Sequence, residues 1–327
     1  MYIMVSYSSS STPTNGFVKF KRNIIQAKIN EKFANMTADS RKLLCGVNSN
    51  SPKTPAATPN FKTNSKIRSK RSNPSCTYNI EFDSRKQWPQ CADIINIVRE
   101  QGQCGDCWAV ASSSTFTDRY CIERAKKGLK TKVSDPDNQS SDEDILSCTS
   151  PTSGCNGGST PDAWEYMKNY GVVSGSNFEQ KTGCKPYSIN PKTGGPLPTP
   201  QCVSKCTNSK WSIQYKNDKK FAISTGIIPT DMEVSEAVKA MKAELRAVWT
   251  HMMISIIMRT TDKNPGGHAI RIIGWGTQTC SGKVQPFWLV INSWGKEWGM
   301  DGVFMIAQGI NECKIEAWGA AFGKPKV

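Results

Sequence analysis

The pattern of apolar and polar positions predicts a chain of mixed helices and strands. The stretch that follows Cys107 lacks proline and closes with two lysines and Gly128, as helices commonly do. Runs of β-branched and aromatic residues bounded by turn residues predict strands. Two shorter helices are expected at Ser141–Cys148 and Pro161–Gly171, and three strands at Ala269–Ile273, Phe287–Ile291 and Gly302–Ile306.

Charge divides the chain near residue 78. Residues 1–78 carry 13 Lys and Arg against 2 Asp and Glu, while the remainder carries 29 and 25. The basic segment is rich in Ser, Thr, Pro and Asn, so its charge is not taken as a sign of nucleic-acid binding. There is no run of 18 apolar residues, so no membrane span is expected.

Cys107 is the candidate nucleophile. A cysteine is mostly protonated near neutral pH and must be activated. A helix beginning at Cys107 would favour the thiolate through its dipole. The chain has two histidines. His268 lies in a glycine-flanked turn before an apolar run, whereas His251 lies in a Met-rich stretch, so His268 is the better base. Asn292 would orient the imidazole, and a thiol, an imidazole and an amide then form a complete nucleophilic site.

Seven motifs, in this order, resemble those of papain-like cysteine peptidases and, within them, the cathepsin B subfamily. The resemblance implies an α+β fold of two lobes, with a helical left lobe, a β-barrel-like right lobe and many disulfides. The motifs are Phe82–Arg85, Trp88–Cys91, Gln101–Trp108, Gly154–Gly158, Cys184–Ile189, Gly267–Gly276 and Asn292–Gly295.

The resemblance also implies a role for each matching residue. Cys107 matches the nucleophile, His268 the general base and acid, and Asn292 the residue that orients the ring. Gln101 matches the oxyanion donor, together with the backbone N–H of Cys107. The substrate-binding residues implied are Gly157, Gly158, Gly267, Trp294 and Trp318. No metal and no cofactor is expected.

Thirteen cysteines are many for a cytosolic enzyme and favour an oxidising compartment. Sequence alone leaves the pairing open. The resemblance implies Cys91–Cys121, Cys104–Cys155, Cys148–Cys202 and Cys184–Cys206. Four others are expected to be thiols, namely Cys45, Cys76, Cys280 and Cys313. Metal binding is one alternative for so many cysteines, and the presence of only two histidines argues against it. A redox pair at Cys104 and Cys107 is another, against which the downstream histidine and asparagine argue.

Two domains are expected, a propeptide with the basic segment over 1–78 and a papain-like peptidase over 79–327. Gln26–Asn30, Phe33 and Leu44–Gly46 resemble the short cathepsin B propeptide, which lies through the cleft and blocks it. Ser65–Arg71 suits processing, and a solvated linker is the alternative. The mature chain is expected to begin near Tyr78–Glu81.

Four departures from the subfamily change the expected activity. Asp106 precedes the nucleophile and would raise the pKa of the thiol if it pointed inward, whereas it would do little if it pointed into solvent. Ile189–Cys202 lacks the histidines that bind a substrate C-terminus, which predicts an endopeptidase. Trp318 replaces a glutamate in the S2 pocket, which predicts apolar preference there. Met241–Asp262 is shorter than in the family, so the sheet is trimmed or the sequence is in error.

The expected function is a cysteine endopeptidase made as a zymogen and acting through a thioester acyl-enzyme. The alternative is a non-catalytic cathepsin B-like binding or matrix protein, which Asp106 and the Met241–Asp262 segment favour. Expected partners are peptide and protein substrates and the chain's own propeptide, with no nucleic acid, no membrane and a monomeric state. The disulfides predict a lysosomal or secreted protein. No signal peptide is visible, so an incomplete N-terminus is expected.

Overall fold

The computed structural model describes residues 44–46, 76–131, 139–150, 154–246, 252–257 and 267–327, with 252–257 described as backbone only. His251, Gln26–Phe33 and Ser65–Arg71 lie outside the described residues. The helices are α1 Ser84–Gln87, α2 Ala92–Ile95, α3 Cys107–Lys126, α4 Asp142–Cys148, α5 Thr160–Asn169, α6 Tyr215–Asp218 and α7 Val234–Arg246. The strands are β1 Cys76–Asp83, β2 Ala222–Ile228, β3 Met252–Ile257, β4 Gly267–Cys280, β5 Lys283–Ile291, β6 Val303–Ala307 and β7 Ala320–Pro325.

The predicted elements are present. The central helix α3 runs for 20 residues from Cys107. It closes at Gly128, whose positive φ of 69° suits a glycine, and whose N–H donates to the carbonyl of Ala125. The two predicted short helices correspond to α4 and α5, each capped by a serine hydroxyl at Ser141 or Ser159. The predicted helices and strands are therefore confirmed, with bounds that differ by up to four residues except at β4, which runs seven residues beyond Ile273.

Helix α3 is buried on nearly every face, although much of it is polar. Two of its buried hydroxyl groups donate hydrogen bonds to backbone carbonyls of the helix itself. The Ser112 hydroxyl donates to the carbonyl of Trp108 at 2.6 Å, and Thr117 donates to Ser113 at 2.7 Å. The helix can therefore run through the interior of the molecule without buried hydroxyls lacking partners at these positions.

The right lobe is one antiparallel sheet of seven strands in the order β2-β7-β3-β4-β5-β6, with β1 on β4. The long strand β4 pairs with β3 along Gly267–Ile272 and with β1 along Gly274–Cys280. The expected barrel-like lobe is thus an open sheet over the described residues, with β2 and β6 at its two ends. The shortened segment before His268 still supplies strand β3, which bridges β4 and β7.

The two lobes meet where α3 packs against β4. Asp118 of α3 and Arg271 of β4 form a buried ion pair at 2.6 Å. Arg271 also donates to the carbonyl of Ile97 at 2.7 Å, and Arg119 of α3 donates to the carbonyl of Gly323 at 2.7 Å. A buried pair is costly to break once formed. These contacts hold the middle of α3 against β4 and β7, and so position the helix that begins at Cys107.

Five disulfides cross the described residues. Four are the pairs implied by the resemblance, Cys91–Cys121, Cys104–Cys155, Cys148–Cys202 and Cys184–Cys206. The fifth joins Cys76 to Cys280, so the expectation that these two are thiols is wrong. The physical reason is register, because the two residues are directly opposite each other at the ends of β1 and β4. No helix in the described parts of the chain is long and apolar enough to cross a bilayer.

Candidate active site

Cys107 is the first residue of α3 and lies against the strand that carries His268. Its side chain is fully buried, and the backbone N–H of Ala269 donates to Sγ at 3.3 Å. Ala269 directly follows His268 on β4. Cys104 is joined to Cys155, so no redox pair forms between Cys104 and Cys107. The helix start thus delivers one thiol to the first residues of β4.

The His268 imidazole is held by Asn292. Nε2 of His268 lies 2.8 Å from Oδ1 of Asn292. The backbone N–H of Ser293 also donates to that Oδ1 at 2.8 Å, which identifies the atom as the amide oxygen. Nε2 must therefore carry the hydrogen, and the other ring nitrogen, Nδ1, keeps its lone pair. Nδ1 makes no hydrogen bond of good geometry with a described residue, although the backbone of Leu44 lies close enough to the ring to raise the pKa of His268 by a small amount. The ring is thus held in the tautomer that a general base requires.

Trp294 covers this hydrogen bond. Its ring lies 4.8 Å from the His268 ring, and it is itself 3% exposed. Trp298 packs on the far side of Trp294 at 5.3 Å, nearly perpendicular to it. Burial strengthens the bond between His268 and Asn292, because water cannot compete for either partner.

Gln101 is held from several sides beside Cys107. Its Oε1 accepts from the Ser293 hydroxyl at 2.6 Å. Its Nε2 donates to the carbonyl of Cys104 at 2.8 Å and to that of Leu44 at 3.3 Å. Its own carbonyl accepts from the Tyr187 hydroxyl at 2.9 Å. The amide is therefore fixed with one N–H directed at a carbonyl from another segment of the chain.

Residues 44–46 occupy this site. The N–H of Gly158 donates to the carbonyl of Gly46 at 2.7 Å, as a strip that pairs with an extended peptide would do. Gly46 fits closely, because an added Cβ would lie 1.5 Å from the carbonyl oxygen of Gly105. Gly158 is equally constrained by the Trp108 ring, 2.3 Å from the place of a Cβ. Glycine is needed at both positions for close backbone approach.

Burial sets the charge state of the central pair. Desolvation raises the pKa of the Cys107 thiol to about 12, against smaller lowering effects from hydrogen bonds with the backbone of Ala269 and Gly46. Desolvation lowers the pKa of His268 to about 4, although the hydrogen bond with Asn292 raises it. The pair is therefore a neutral thiol and a neutral imidazole while Leu44–Gly46 covers it.

Asp106 points inward, the first of the two orientations considered above. Its side chain is fully buried, and Oδ2 lies 2.7 Å from the Tyr187 hydroxyl. Burial raises the pKa of this carboxyl well above its usual value. Its effect on the pKa of Cys107 is upward but is small beside that of desolvation.

Three further residues were predicted to bind substrate, namely Gly157, Gly267 and Trp318. Gly157 lies beside Gly158 with a φ of 119°, which favours glycine. Gly267 is the buried first residue of β4, next to His268. Trp318 lies two residues before β7, half-buried, and its N–H donates to the carbonyl of Lys314 at 2.9 Å. A substrate pocket that includes Trp318 stays a prediction.

Sequence reasoning missed two residues that hold Gln101. Ser293 and Tyr187 both lie inside motifs that the sequence analysis quoted, Asn292–Gly295 and Cys184–Ile189. The motifs contain both residues but do not indicate what they contact. Ser293 lies 192 positions from Gln101 in the sequence, and Tyr187 lies 86 positions from it. Only a fold brings such distant positions together.

Known proteins resemble this chain in sequence and in fold. The sequence profile described as "Papain family cysteine protease" matches residues 78–321. The chain is 38% identical to "Cathepsin B-like cysteine proteinase 4" of Caenorhabditis elegans over 75% of each chain. It is 38% identical to a "Gut-specific cysteine proteinase" of the same organism, over 75% of this chain and 73% of that one. "ProCathepsin B S9 from Trypanosoma congolense" has a similar structure, with a TM-score of 0.65, 28% identity and coverage of 93% and 94%.

Proposed function

Because the chain belongs to the papain family of cysteine proteases, we propose that it cleaves internal peptide bonds with Cys107, His268 and Asn292 as its catalytic residues. The observation that carries this proposal is the geometry of the three side chains. Sγ of Cys107 is bound to the N–H of Ala269, and His268 next to it is locked by Asn292 with Nδ1 left unprotonated. That is the arrangement of a nucleophile, a base and an orienting amide.

In the proposed reaction His268 takes the proton of the Cys107 thiol through Nδ1. The thiolate attacks the substrate carbonyl and forms a tetrahedral oxyanion. The imidazolium then gives its proton to the leaving amine, and a thioester to Cys107 remains. Water, deprotonated by the same imidazole, hydrolyses the thioester and restores the thiol.

Gln101 and the backbone N–H of Cys107 would hold the oxyanion. The contact between Gln101 Nε2 and the Leu44 carbonyl supports this role, because the amide there donates to a peptide carbonyl from another segment of the chain. Each such donor is typically worth about 3–4 kcal/mol of transition-state stabilisation. Gly157, Gly158 and Gly267 would bind the substrate backbone, as Gly158 binds the carbonyl of Gly46.

Two aromatic residues complete the proposed cleft. Trp294 would keep water from the His268–Asn292 bond. Trp318 would line the pocket for the second residue before the cut and would select apolar side chains there. A tryptophan offers no charge to a substrate arginine, so an arginine would be buried there without a partner.

The part of the predicted 1–78 segment that lies upstream of Cys76 would serve as a propeptide, and Leu44–Gly46 would be the part that inhibits. Two contacts support this. The carbonyl of Gly46 accepts the hydrogen bond of the Gly158 N–H, and the carbonyl of Leu44 accepts that of Gln101 Nε2. A substrate could therefore form neither bond while the segment is in place. Burial under this segment also keeps Cys107 and His268 neutral.

The activating cut is better placed between Gly46 and Cys76 than at Tyr78–Glu81. Residues Cys76–Asp83 form β1, whose pairs with β4 run from Cys76 to Asp83. A cut at Tyr78 would divide that strand and leave Cys76 on the released piece, still bonded to Cys280. A cut upstream releases residues 44–46 and keeps both the strand and the disulfide.

The proposed enzyme acts on internal bonds. Ile189–Cys202 contains no histidine, so the segment offers no imidazolium to a substrate C-terminal carboxylate. It packs instead on the left lobe, where the Cys155 N–H donates to the Thr199 hydroxyl at 2.9 Å. Efficient release of C-terminal dipeptides by the processed enzyme would contradict this part of the proposal.

A second candidate is a non-catalytic binding protein, which the buried Asp106 beside Cys107 favours, since a carboxylate there would oppose the thiolate. Covalent titration with an epoxide or fluoromethyl ketone probe separates the two candidates. The active enzyme is expected to be labelled at Cys107 once residues 1–75 are removed. No labelling of a folded, processed chain would support the second candidate.

The protein is proposed to act outside the cytosol on peptide and protein substrates. The five disulfides support an oxidising compartment, either lysosomal or extracellular. The expected partners are peptide and protein substrates and the propeptide of the same chain. The protein is proposed to act as a monomer, without nucleic acid or membrane.

A further inference from the structure

Asp106, Tyr187 and Gln101 form a buried chain of polar contacts behind the proposed oxyanion donor. The Tyr187 oxygen lies 2.7 Å from Oδ2 of Asp106 and 2.9 Å from the carbonyl oxygen of Gln101. Asp106 and Gln101 are fully buried, and Tyr187 is 3% exposed. Solvent therefore has little access to any of these atoms, and the protein itself must supply their hydrogens.

Counting hydrogens decides the protonation state of Asp106. A tyrosine hydroxyl carries one hydrogen. A carboxylate and a carbonyl can only accept, so with an ionised Asp106 one of the two short contacts of Tyr187 would hold no hydrogen. With a neutral Asp106 both contacts are hydrogen bonds: Asp106 donates to Tyr187, and Tyr187 donates to Gln101. The neutral acid therefore fits the observed distances.

The second carboxyl oxygen leads to the same conclusion. Oδ1 of Asp106 is buried and accepts no hydrogen bond from another described residue, and the backbone N–H of Asp106 itself only partly offsets the effect of burial on the carboxyl. An unpartnered oxygen costs far more on a carboxylate than on a neutral acid. Burial raises the pKa of this carboxyl well above its usual range, in agreement with the geometry.

The charged groups around Asp106 also favour the neutral form. Asp142 and Glu143, at the start of α4, are acidic and add to the upward shift of its pKa. Two cations lie near these acids, and both are paired: Arg99 with Asp142 at 2.7 Å, and Lys185, which acts on Glu143, with Asp144 at 2.8 Å. Glu143 accepts hydrogen bonds from the N–H and the hydroxyl of Ser188. The thiol of Cys107 is the remaining titratable neighbour, and it is neutral under Leu44–Gly46.

We propose that Asp106 is a positioning residue that, as a neutral acid, holds Gln101 in place through Tyr187, and that its ionisation limits the reaction at alkaline pH. This inference rests on the proposed function. When Asp106 loses its proton to solvent, the Tyr187 hydrogen turns to the new carboxylate. The Gln101 carbonyl then loses its donor, and the oxyanion donor on the same residue is less well held. The new charge would also oppose the Cys107 thiolate.

Three variants separate positioning from packing. Asp106→Asn keeps a donor for Tyr187, because its amide N–H can replace the acid O–H, but it does not titrate. Asp106→Leu has a similar size and no donor. Tyr187→Phe removes the hydrogen bond with Gln101 and keeps the ring. The kcat and KM of each variant are measured between pH 4 and pH 9 on the full chain after activation.

The expected result is a difference in kcat. Asp106→Leu and Tyr187→Phe should lose about tenfold or more in kcat with KM little changed, since a donor acting only in the transition state is affected. Asp106→Asn should lose less than Asp106→Leu. In Asp106→Asn the alkaline limb of kcat should move upward by at least about one pH unit relative to the wild-type chain. The inference would be overturned if kcat fell at the same alkaline pH in Asp106→Asn and in the wild-type chain. It would also be overturned if Tyr187→Phe left kcat unchanged.

An infrared measurement tests the neutral acid without any turnover. The difference spectrum of the full-length Cys107→Ala chain with and without Asp106→Asn, at pH 7, should contain the carbonyl stretch of one protonated carboxylic acid. Absence of that band would overturn the inference even for an active enzyme. The band could also be present while the processed wild-type chain takes up no covalent probe at Cys107. That result would contradict the proposed function and leave Asp106 established as a neutral acid.

Discussion

Oδ1 of Asn292 accepts hydrogen bonds from both His268 Nε2 and the backbone N–H of Ser293, each at 2.8 Å. The second bond fixes the orientation of the amide, and the amide fixes the tautomer of the imidazole. A single asparagine thereby determines which nitrogen of His268 is free to accept a proton. The contact is buried under Trp294, so solvent does not replace it.

Replacing Asn292 by alanine should therefore impair the base without removing it. General acid–base catalysis contributes about 10²–10⁴-fold, and we expect kcat/KM to fall by about 10- to 100-fold as the ring loses its orientation. Hydrolysis of a fluorogenic peptide measures the effect. The exposed Asn217→Ala is the matched control. Equal activity of the two variants would show that Asn292 does not orient the ring.

Inhibition by the segment at Leu44–Gly46 should weaken in acid. Burial lowers the pKa of His268 to about 4 in the covered form, from an ordinary value of 6.5, and removing the segment should move the pKa back towards that value. A base with a lowered pKa in the covered form binds protons better in the open form. Binding of the segment over the site is therefore strongest above pH 6.5. As the pH falls towards 4, the free energy of this binding becomes less favourable by up to about 1.4 kcal/mol per pH unit.

A synthetic peptide of residues 40–50 tests this on the processed enzyme. Its inhibition constant should rise by up to about tenfold per pH unit between pH 6.5 and pH 4. A peptide with Gly46→Ala should inhibit poorly at every pH, because its Cβ would clash with the backbone of Gly105. For comparison, Gly194→Ala in the enzyme meets no atom within 4 Å and should leave inhibition unchanged. Tighter inhibition in acid would contradict the assignment.

Trp318→Glu should change specificity. The variant places a carboxylate where the wild-type side chain is apolar, and it should gain about tenfold in kcat/KM, worth roughly 1.4 kcal/mol, for arginine as the second residue before the cut. The wild-type chain should prefer leucine or phenylalanine there. A fluorogenic panel that varies only this residue measures both preferences. Unchanged selectivity in the variant would remove Trp318 from the pocket.

The Cys76–Cys280 disulfide gives a prediction about processing. The mature chain should begin upstream of Cys76, and its mass should be the same with and without reduction, apart from the hydrogens added. A chain cut at Tyr78–Glu81 would instead release a peptide containing Cys76 only after reduction. Replacing both cysteines by serine should lower the free energy of unfolding by about 2–5 kcal/mol, measured by denaturant titration. Peptide release on reduction would contradict the upstream cut.

The sequence predicted elements and motifs well but not contacts between them. The helix at Cys107 was predictable because its signal is local. Four disulfides followed from the family resemblance, since sequence alone leaves the pairing of the cysteines open. The Cys76–Cys280 bond was not, because it depends on the register of β1 against β4 across 204 residues. The shortened segment before His268 gave no sign that it would still pair as β3.

Asp106 illustrates the same limit within the site. The sequence showed an acid beside the nucleophile and allowed two orientations. The orientation depends on Tyr187, 81 positions further along the chain. A charged carboxylate buried at this position would be unfavourable, whereas a neutral carboxylic acid can donate a hydrogen bond to Tyr187. The chemistry of this residue therefore follows from one tertiary contact.

Covalent titration of Cys107 tests the central claim most directly. The full chain and the chain processed upstream of Cys76 are exposed to an irreversible epoxide probe, and the modified residue is located by peptide mass. We predict one equivalent of label on Cys107 after processing, slower labelling before it, and none in Cys107→Ala. A processed chain that is folded, with all five disulfides formed, and that takes up no label at Cys107 would contradict the account.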